Sequence, residues 1–373
     1  MNNEFLEAIE IIARDRGISR EVLIETIESA LVSAYKRNFG SSHNVSVNID
    51  RESGDVRVFA IKNVVEQVED DTLEVGLEEA RKINRAYEPG DLVEFEVTPK
   101  SFGRIAAQTA KQVVMQRIRE AERGMIFDEY IEKENEVLTA IVQRIEKKNV
   151  YVELGKAEGV LLPSEHMPGE EYQINDRLKV YVVEVKKTNK GPQVMVSRTH
   201  PGLVKRLFEL EVPEIHSGVV QIKSISREAG SRTKMAVYSS DEAIDPVGAC
   251  VGQRGTRVER IVEELKGEKI DIIKWNADPI DYIANSLSPA RVIMVQVLED
   301  EHAARVIVPD SQLSLAIGKE GQNARLAAKL TGWKIDIKSQ SQAQALLMAE
   351  DAGEEVVWED EPLENFDFTD AEE

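Results

Sequence analysis

The chain has 373 residues, of which 42% are hydrophobic and 31% charged, and its 47 basic and 68 acidic residues give a formal net charge of −21. This length and balance are typical of a soluble chain with about two to four globular domains. The single cysteine, Cys250, excludes an intramolecular disulfide and a cysteine-based zinc site.

The acidic excess is concentrated at the end of the chain. Residues 341–373 carry twelve acidic residues and no basic ones, so the rest of the chain is much closer to neutral. The net charge therefore does not by itself exclude a surface that binds nucleic acid. We expect residues 346–373 to form a disordered acidic tail, which is either simply solvated or able to bind a partner or mimic RNA.

The terminus and the apolar stretches predict a cytoplasmic location. The N-terminus is acidic and lacks the basic and then apolar pattern of a signal peptide. The longest apolar stretches, such as residues 292–295, are far too short to cross a bilayer. The five histidines show no metal-ligand spacing. We therefore expect no membrane partner, no metal and no cofactor.

Residues 1–130 predict an α+β domain that ends in a long connecting helix. A first helical pattern ends at Gly17, and a second begins after Ser19 and ends at Gly40. The hydrophobic period then changes from helical to alternating, which indicates a sheet. The further predicted elements are a hairpin of residues 45–49 and 56–60, a helix at 77–84, a strand at 91–97 and a helix at about 104–132.

The connecting helix is positively charged within this acidic chain, with a net charge of +4 between residues 100 and 125. Arg104, Lys111 and Arg117 are its candidate contacts with RNA or with an acidic protein surface. The alternative is an ordinary solvated helix face, and the sequence alone leaves both open.

Residues 135–200 predict a small closed β-barrel of the OB type. Short strands separated by glycine-containing turns are predicted at 137–145, 149–154, 159–162, 178–186 and 193–197. Such barrels bind single strands by stacking bases on exposed aromatic side chains. The candidate aromatic residue is Tyr151, which either stacks on a base or closes the barrel core.

Residues 201–276 and 280–345 contain an internal repeat. The segment VGQRGTRVERIVEELKGEKIDII at 251–273 aligns with IGKEGQNARLAAKLTGWKIDIKS at 317–339. Each copy predicts a strand, a helix, a G-x-x-G loop, a helix and a strand, which is the KH pattern. In KH domains this loop clamps about four nucleotides of a single strand.

The candidate RNA-binding residues are the two loops and basic residues of the helices that follow them. The first group is Gly252, Gln253, Arg254, Gly255, Arg257 and Arg260, and the second is Gly318, Lys319, Gly321, Arg325 and Lys329. The glycines let the backbone approach phosphate, and the helix after each loop offers free N–H groups. Glu320 places a negative charge in the second loop, so we expect a weaker phosphate contact there.

No catalytic residue is expected. The sequence holds neither a G-x-x-x-x-G-K-[ST] phosphate loop nor an H-E-x-x-H motif, and no compact acidic cluster suggests a two-metal nuclease. Cys250 has no histidine close in sequence and is expected to be a small buried hydrophobe. The predicted chemistry is binding.

These segments, together with SRTHPGLVKRLFELEVPEI at 197–215, resemble the NusA family of bacterial transcription termination/antitermination factors. The resemblance covers about residues 1–340. It implies a multidomain α+β protein with an N-terminal domain, an S1-type OB barrel and two tandem KH domains of the prokaryotic type.

The resemblance also implies a function. Members of the family are non-enzymatic elongation regulators whose N-terminal domain binds core RNA polymerase near the flap and the RNA exit channel. Their other domains bind nascent single-stranded RNA. They promote pausing and intrinsic termination, and they join other Nus factors in antitermination complexes. We expect a monomer in which Arg104, Lys111 and Arg117 contact polymerase or RNA.

The same modules also occur in two other classes of protein. S1 and KH modules also occur together in a phosphorolytic exoribonuclease, but its two large catalytic domains do not fit into about 125 N-terminal residues. A ribosome-assembly or translation factor with generic KH modules stays open, and the partner of the N-terminal domain discriminates it from a polymerase regulator.

Overall fold

The computed structural model describes residues 3–17, 19–39, 44–189 and 191–351. Within these residues the chain forms two compact units. The first unit runs as far as Asp128 and includes Asn189 and Gly191, and the second unit comprises the remainder. Among the described helices none combines the length and the apolarity needed to span a membrane.

The first unit and the helix that leads out of it mix helices with a sheet, as expected. In chain order their elements are α1 (Asn3–Arg16), α2 (Arg20–Phe39), β1 (Val45–Ile49), β2 (Val56–Val65), β3 (Glu74–Gly76), α3 (Leu77–Ile83), β4 (Leu92–Glu96) and α4 (Phe102–Ile131). The predicted hairpin is confirmed as the antiparallel pair of β1 and β2. Strand β2 also pairs antiparallel with β4 and parallel with β3, which is too short to show a sequence pattern. The predicted helix end at Gly40 lies outside the described residues.

The core of the first unit lies between helices and sheet. The alternating side chains of β1 meet an apolar face of α2 that includes Leu23, Ile27 and Leu31. The first turns of α4 add Phe102 and Ala106 to the same core. The start of the connecting helix is therefore held by the domain and does not merely follow it.

The predicted OB barrel is confirmed as a closed barrel. Its strands are β5 (Val137–Glu146), β6 (Asn149–Glu153), β7 (Glu158–Leu161), β8 (Arg177–Thr188) and β9 (Gly191–Ser197), and they close in the order β5-β6-β7-β9-β8. The last turn of α4 meets this barrel, because the buried Tyr130 hydroxyl donates a hydrogen bond to the carbonyl oxygen of Leu154.

The repeat predicted from the sequence is confirmed as two units of the same topology. The first KH unit consists of α5 (Pro201–Glu211), α6 (Pro213–His216), β10 (Val220–Glu228), β11 (Arg232–Ser239), α7 (Pro246–Val251), α8 (Thr256–Glu264) and β12 (Lys269–Lys274). The second KH unit consists of α9 (Pro279–Ser286), β13 (Met294–Leu298), β14 (Ala303–Val308), α10 (Leu313–Ile317), α11 (Gln322–Thr331), β15 (Lys334–Ser339) and α12 (Gln340–Asp351). In both units the central strand pairs antiparallel with the strand before it and parallel with the strand after the helices.

Two boundaries differ from the sequence-based expectation. Helix α9 begins at Pro279, one residue before the expected start of the second repeat at 280, and the Asp278 carboxylate caps it by accepting from the backbone N–H of Ile280. Helix α12 continues to Asp351, so the tail expected from residue 346 begins as helix. Residues 341–348 are rich in Ala, Gln, Leu and Met, which favour helix. The rest of the expected tail, 352–373, lies outside the described residues.

A buried ion network joins the barrel to the first KH unit. The fully buried guanidinium of Arg198 donates to Glu170 Oε1 at 2.7 Å and to Glu264 Oε1 at 3.1 Å. Beside it the ion pair of Arg227 with Glu268 is also fully buried, at 2.9 Å. Buried charges require such complete pairing, so this junction is strongly specified.

The second KH unit packs on the face of the first sheet that points away from helices α7 and α8. Tyr282 and Leu330 cover Ala236 and Ile273 on this face. The Tyr282 hydroxyl donates to the Leu330 carbonyl at 3.0 Å and lies 2.7 Å from the hydroxyl of Ser224. This contact sets the position of one loop-bearing unit relative to the other.

Candidate nucleic-acid interface

The two G-x-x-G loops have almost the same backbone conformation. Gly252 and Gly318 open the loops with φ/ψ of 74°/177° and 78°/174°. The third residues, Arg254 and Glu320, have φ/ψ of 54°/28° and 54°/31°, in the left-handed region. The repeat found in the sequence therefore extends to the dihedral angles of the candidate RNA-binding loops.

The first glycine of each loop is required by close packing as well as by its positive φ. A Cβ at Gly318 would lie 2.8 Å from the backbone nitrogen of Asn323, and one at Gly252 would lie 2.7 Å from Cγ of Arg257. The helix after the loop thus begins directly against the loop backbone. A side chain at either glycine would push the two apart.

Each loop leads directly into a helix N-terminus. Gly255 and Gly321 occupy the cap positions of α8 and α11, with φ of 82° and 72°. The first helical N–H groups, of Thr256 and Gln322, donate to the carbonyls of Gln253 and Lys319. Glycine has no side chain that could accept from the N–H groups that follow, so those donors stay available to an anion. The helix dipole adds a partial positive charge at the same place.

The first loop carries accessible positive charge. Gln253 and Arg254 are exposed at its tip. Arg260 follows on α8 with 70% of its side chain exposed. Its ion pair with Glu211 is a long one, with 3.3 Å between Nη1 and Glu211 Oε2. Arg257 is placed differently, because its Nη1 donates to Glu214 Oε2 at 2.9 Å and to the Ala249 carbonyl at 2.6 Å. Arg257 therefore connects α8 to α6 and α7 and supports the loop between α7 and α8.

The second loop carries less net positive charge. Lys319 and Glu320 are 90% and 82% exposed and lie 3.9 Å apart, so their charges largely cancel at the tip. Arg325 is paired with Glu228 of the first KH unit at 2.7 Å and also donates to the Glu320 carbonyl. Lys329 is exposed on α11, and its charge contributes to lowering the pKa of Glu228.

An open groove with a volume of about 530 Å³ lies beside the first loop. Its walls include Gly248 and Ala249 of α7, Gln253 of the loop and Thr256 of α8. The groove thus lies between the two helices that flank the loop. This is where a strand clamped by the loop would place its bases.

On the barrel, Tyr151 does not belong to the core, which its neighbours Val150 and Val152 fill. Tyr151 is half-buried, and the Arg144 guanidinium lies 3.9 Å from its ring centroid. Arg144 is in turn held by an ion pair with Glu158. One ring face is therefore already occupied by a cation.

On the connecting helix, Arg104 and Lys111 are exposed. Arg117 is partly buried and donates to Glu120 Oε2 and to the Thr26 hydroxyl, both at 3.1 Å. The first two are accessible to a partner, whereas Arg117 braces α4 against α2.

Two observations in the described part of the chain concern metal binding and the single cysteine. Within it, no group of three or more His, Cys, Asp or Glu side chains is arranged to hold a metal ion. Cys250 is buried, and burial raises the pKa of its thiol to about 12, so it stays a neutral thiol as expected.

The sequence-based interpretation missed the junction between the second loop and the first KH unit. Gln322, the first residue after the loop, donates through Nε2 to Glu228 Oε2 and to the Ser231 hydroxyl, both at 2.7 Å. Nothing in the local pattern marks Glu228 or Ser231, because the contact joins residues more than 90 positions apart.

Four family models match the domains described above. Family models match in chain order: NusA N-terminal domain at 4–124, S1 RNA binding domain at 132–197, NusA-like first KH domain at 198–275 and NusA-like second KH domain at 279–345.

Relatives resemble the chain over nearly its whole length. The transcription termination/antitermination protein NusA of Halalkalibacterium halodurans is 61% identical over 351 residues, which cover 94% of this chain and 92% of that protein. The protein of the same name from Bacillus subtilis is 59% identical over 363 residues, 97% of each chain. A solution structure of the N-terminal domain of NusA from B. subtilis is 59% identical and covers 33% of this chain and 99% of that one, with a TM-score of 0.31.

Proposed function

The chain belongs to the NusA family, and from that premise we propose that it is a non-enzymatic regulator that binds RNA polymerase and the nascent transcript during elongation. It promotes pausing and intrinsic termination and takes part in antitermination with other Nus factors. Its place of action is the cytoplasm.

The observation that carries the RNA-binding part is the pair of G-x-x-G loops. They share one backbone conformation, open onto uncapped helix N-termini and belong to units packed against each other. One clamp holds about four nucleotides, so two clamps in fixed relation select an extended single strand over a folded one. Arg254 and Arg260 supply the accessible positive charge at the first loop, whereas Glu320 largely offsets the charge of Lys319 at the second.

The polymerase-binding part is assigned to the first unit. It has its own core and presents Arg104 and Lys111 on an exposed side of α4. Cations on a rigid helix suit an acidic protein surface, where charge steers association. A contact of the first unit with polymerase would leave the KH loops to the emerging RNA.

The test is capture of the full chain by purified core RNA polymerase and, in parallel, by ribosomal subunits. We expect capture by polymerase, and we expect Arg104→Glu combined with Lys111→Glu to weaken it, whereas Arg104→Lys with Lys111→Arg preserves it. Capture by ribosomal subunits without capture by polymerase would favour a ribosome-assembly factor instead.

A transcription assay on a template with a hairpin pause completes the test. The wild-type chain should lengthen the pause. A chain that binds polymerase but leaves the pause unchanged would contradict the proposed regulation.

A further inference from the structure

A second basic and aromatic surface lies in the first KH unit, away from the loop. The register between β10 and β11 shifts between Ile222 and Ser224, so Lys223 is the extra residue of a β-bulge on an edge strand. A bulge re-aims the side chain that it carries. Here the ammonium of Lys223 lies 5.3 Å from the ring centroid of Tyr238 and 5.4 Å from that of Trp275.

The two rings form a fixed platform. Tyr238 and Trp275 meet edge to face with centroids 5.5 Å apart. Trp275 is backed by the buried ring of Tyr282 at 6.3 Å, at the packed junction of the KH units. Tyr238 is the outermost of the rings and is 37% exposed. Trp275, itself packed on Tyr282, thus fixes the orientation of Tyr238, and part of the Tyr238 ring stays exposed to solvent.

A groove with a volume of about 250 Å³ shares Lys223 with this platform, although neither ring lines it. Pro201 and Lys205 of α5 form one wall, and the bulged part of β10, with Ile222 and Lys223, forms the other. Lys205 and Lys223 are both exposed. Lys223 also donates to the Gln221 side chain at 3.0 Å, which still leaves two of its N–H donors for an anion.

This surface is separate from the G-x-x-G clamp. Side chains alternate along β11, and Met235 and Val237 face the core shared with α7 and α8. Tyr238 therefore points to the opposite face of the sheet, with Ala236. We therefore expect an RNA that only fills the loops to leave this face free, and a longer strand that passes the sheet edge to reach it.

We propose that the cluster of Lys223, Tyr238 and Trp275 is a second single-stranded RNA subsite, in which a base stacks on Tyr238 while Lys223 contacts a flanking phosphate. The inference rests on the proposed RNA-binding function and extends it. Stacking on an aromatic ring tolerates any base, and lysines follow the backbone without sequence preference. The subsite thus adds affinity for long transcripts rather than sequence selectivity.

The test compares two unstructured RNAs, of about eight and about twenty nucleotides, by fluorescence anisotropy on the full chain. Tyr238→Leu removes the ring and keeps apolar bulk, whereas the matched control Tyr238→Phe keeps the ring. We expect Tyr238→Leu to weaken binding of the long RNA about tenfold, the effect of losing one stacked base, and to leave the short RNA unchanged. Tyr238→Phe should bind both RNAs with wild-type affinity. Lys223→Gln should weaken binding of the long RNA and make that binding less dependent on salt.

Photocrosslinking gives an independent readout. The long RNA carrying 5-iodouridine should crosslink to Tyr238 or Trp275 as well as to the loop regions, as mapped by mass spectrometry of the full chain. If wild type and Tyr238→Leu bind the long RNA equally well and crosslinks are confined to the loops, the subsite is refuted while the proposed function stands. If the wild-type chain binds neither RNA, both the subsite and the proposed RNA-binding function are refuted.

Discussion

Arg257 and Asn323 occupy equivalent positions, each five residues after the first glycine of its loop. Both donate to the carbonyl of the helix that precedes the loop: Arg257 to Ala249 at 2.6 Å, and Asn323 to Leu315 at 3.4 Å. Asn323 also donates to Ala316 at 3.0 Å. The two side chains differ in charge but connect the same elements. A basic residue after a G-x-x-G loop is therefore not by itself a phosphate contact.

The two loops differ in the charge that remains accessible, and this predicts unequal contributions to RNA binding. Changing both Gln253 and Arg254 to Asp should weaken RNA binding more than Lys319→Asp does, because Glu320 already offsets the charge of Lys319. We expect the change in the first loop to reduce the free energy of RNA binding by about 1–3 kcal/mol. In each variant the affinity should also depend less steeply on salt concentration. Aspartate tolerates the left-handed conformation of residue 254, so the loop backbone can persist. Anisotropy with an RNA of about twelve nucleotides measures the effect.

The control is Arg254→Lys, which keeps the charge, and circular dichroism must show each variant folded. Wild-type affinity in the folded variant with both loops changed would refute the clamp assignment.

At the scale of elements, one carboxylate of β10, Glu228, accepts hydrogen bonds from two side chains of α11. Burial would raise the pKa of Glu228, but hydrogen bonds from Arg325 and Gln322 outweigh it and lower the pKa below its usual value of 4.5. The charged form is thus the one that the folded state favours. Since Arg325 pairs here, the start of the second G-x-x-G helix is tied to the first KH unit.

This pKa shift predicts a pH-dependent contribution to stability. A carboxylate with a lowered pKa stabilises the fold above its unfolded pKa, and the contribution is lost as pH falls through the folded value. Glu228→Gln should therefore lower the unfolding midpoint at pH 7, and the difference from wild type should shrink below about pH 4.5. Thermal unfolding of both chains across this range measures it. A difference that stays constant with pH would assign the effect to packing.

The junction of the barrel with the first KH unit predicts a larger effect. Arg198→Met leaves the almost fully buried Glu170 carboxylate without its cationic partner, with only the Tyr172 hydroxyl still donating to it. We expect destabilisation of about 3–5 kcal/mol, the usual cost of breaking a buried ion pair. Arg206→Met is the matched control: its guanidinium pairs with Glu209 at 2.6 Å but is partly exposed, so about 1 kcal/mol or less is expected. Equal shifts in urea unfolding would contradict this ranking.

At the scale of the whole molecule, a net charge of −21 coexists with candidate RNA-binding loops because the acidic excess is concentrated elsewhere. Twelve acidic residues lie in 341–373, and screening at physiological salt limits exposed charges to about 8 Å. Charges that lie close to a loop, such as Arg254 and Arg260 at the first one, therefore act on it more strongly than the net charge of the whole chain. Total charge bears on solubility and long-range steering more than on contact.

Metal removal is predicted to leave RNA binding intact. Backbone N–H groups and side-chain cations are the proposed ligands for phosphate, and the described residues hold no grouping suited to a metal ion. Affinity for an unstructured RNA should be the same with and without EDTA in an anisotropy titration. The RNA alone in EDTA is the control. A loss of affinity that added Mg²⁺ restores would contradict the binding mode.

The sequence alone determined the order of the elements and the location of both loops. Hydrophobic period, turn residues and glycine spacing are local properties, and the strands of the barrel and the paired G-x-x-G loops follow from them. The negative charge that Glu320 places in the second loop is visible in the sequence for the same reason, and the weaker phosphate contact expected there stays a prediction. Strand β3 was missed because three residues carry no period.

The tertiary structure alone decided which cations remain accessible. In the sequence, Arg257 and Arg325 are basic residues just after a loop, as Arg254 and Lys319 are basic residues within one. Arg257 pairs with Glu214, 43 residues away, and Arg325 pairs with Glu228, 97 residues away. Those partners are set by which surfaces meet when the helices pack and the two KH units dock. No local period encodes that meeting, so the charge available to RNA could be read only from the folded chain.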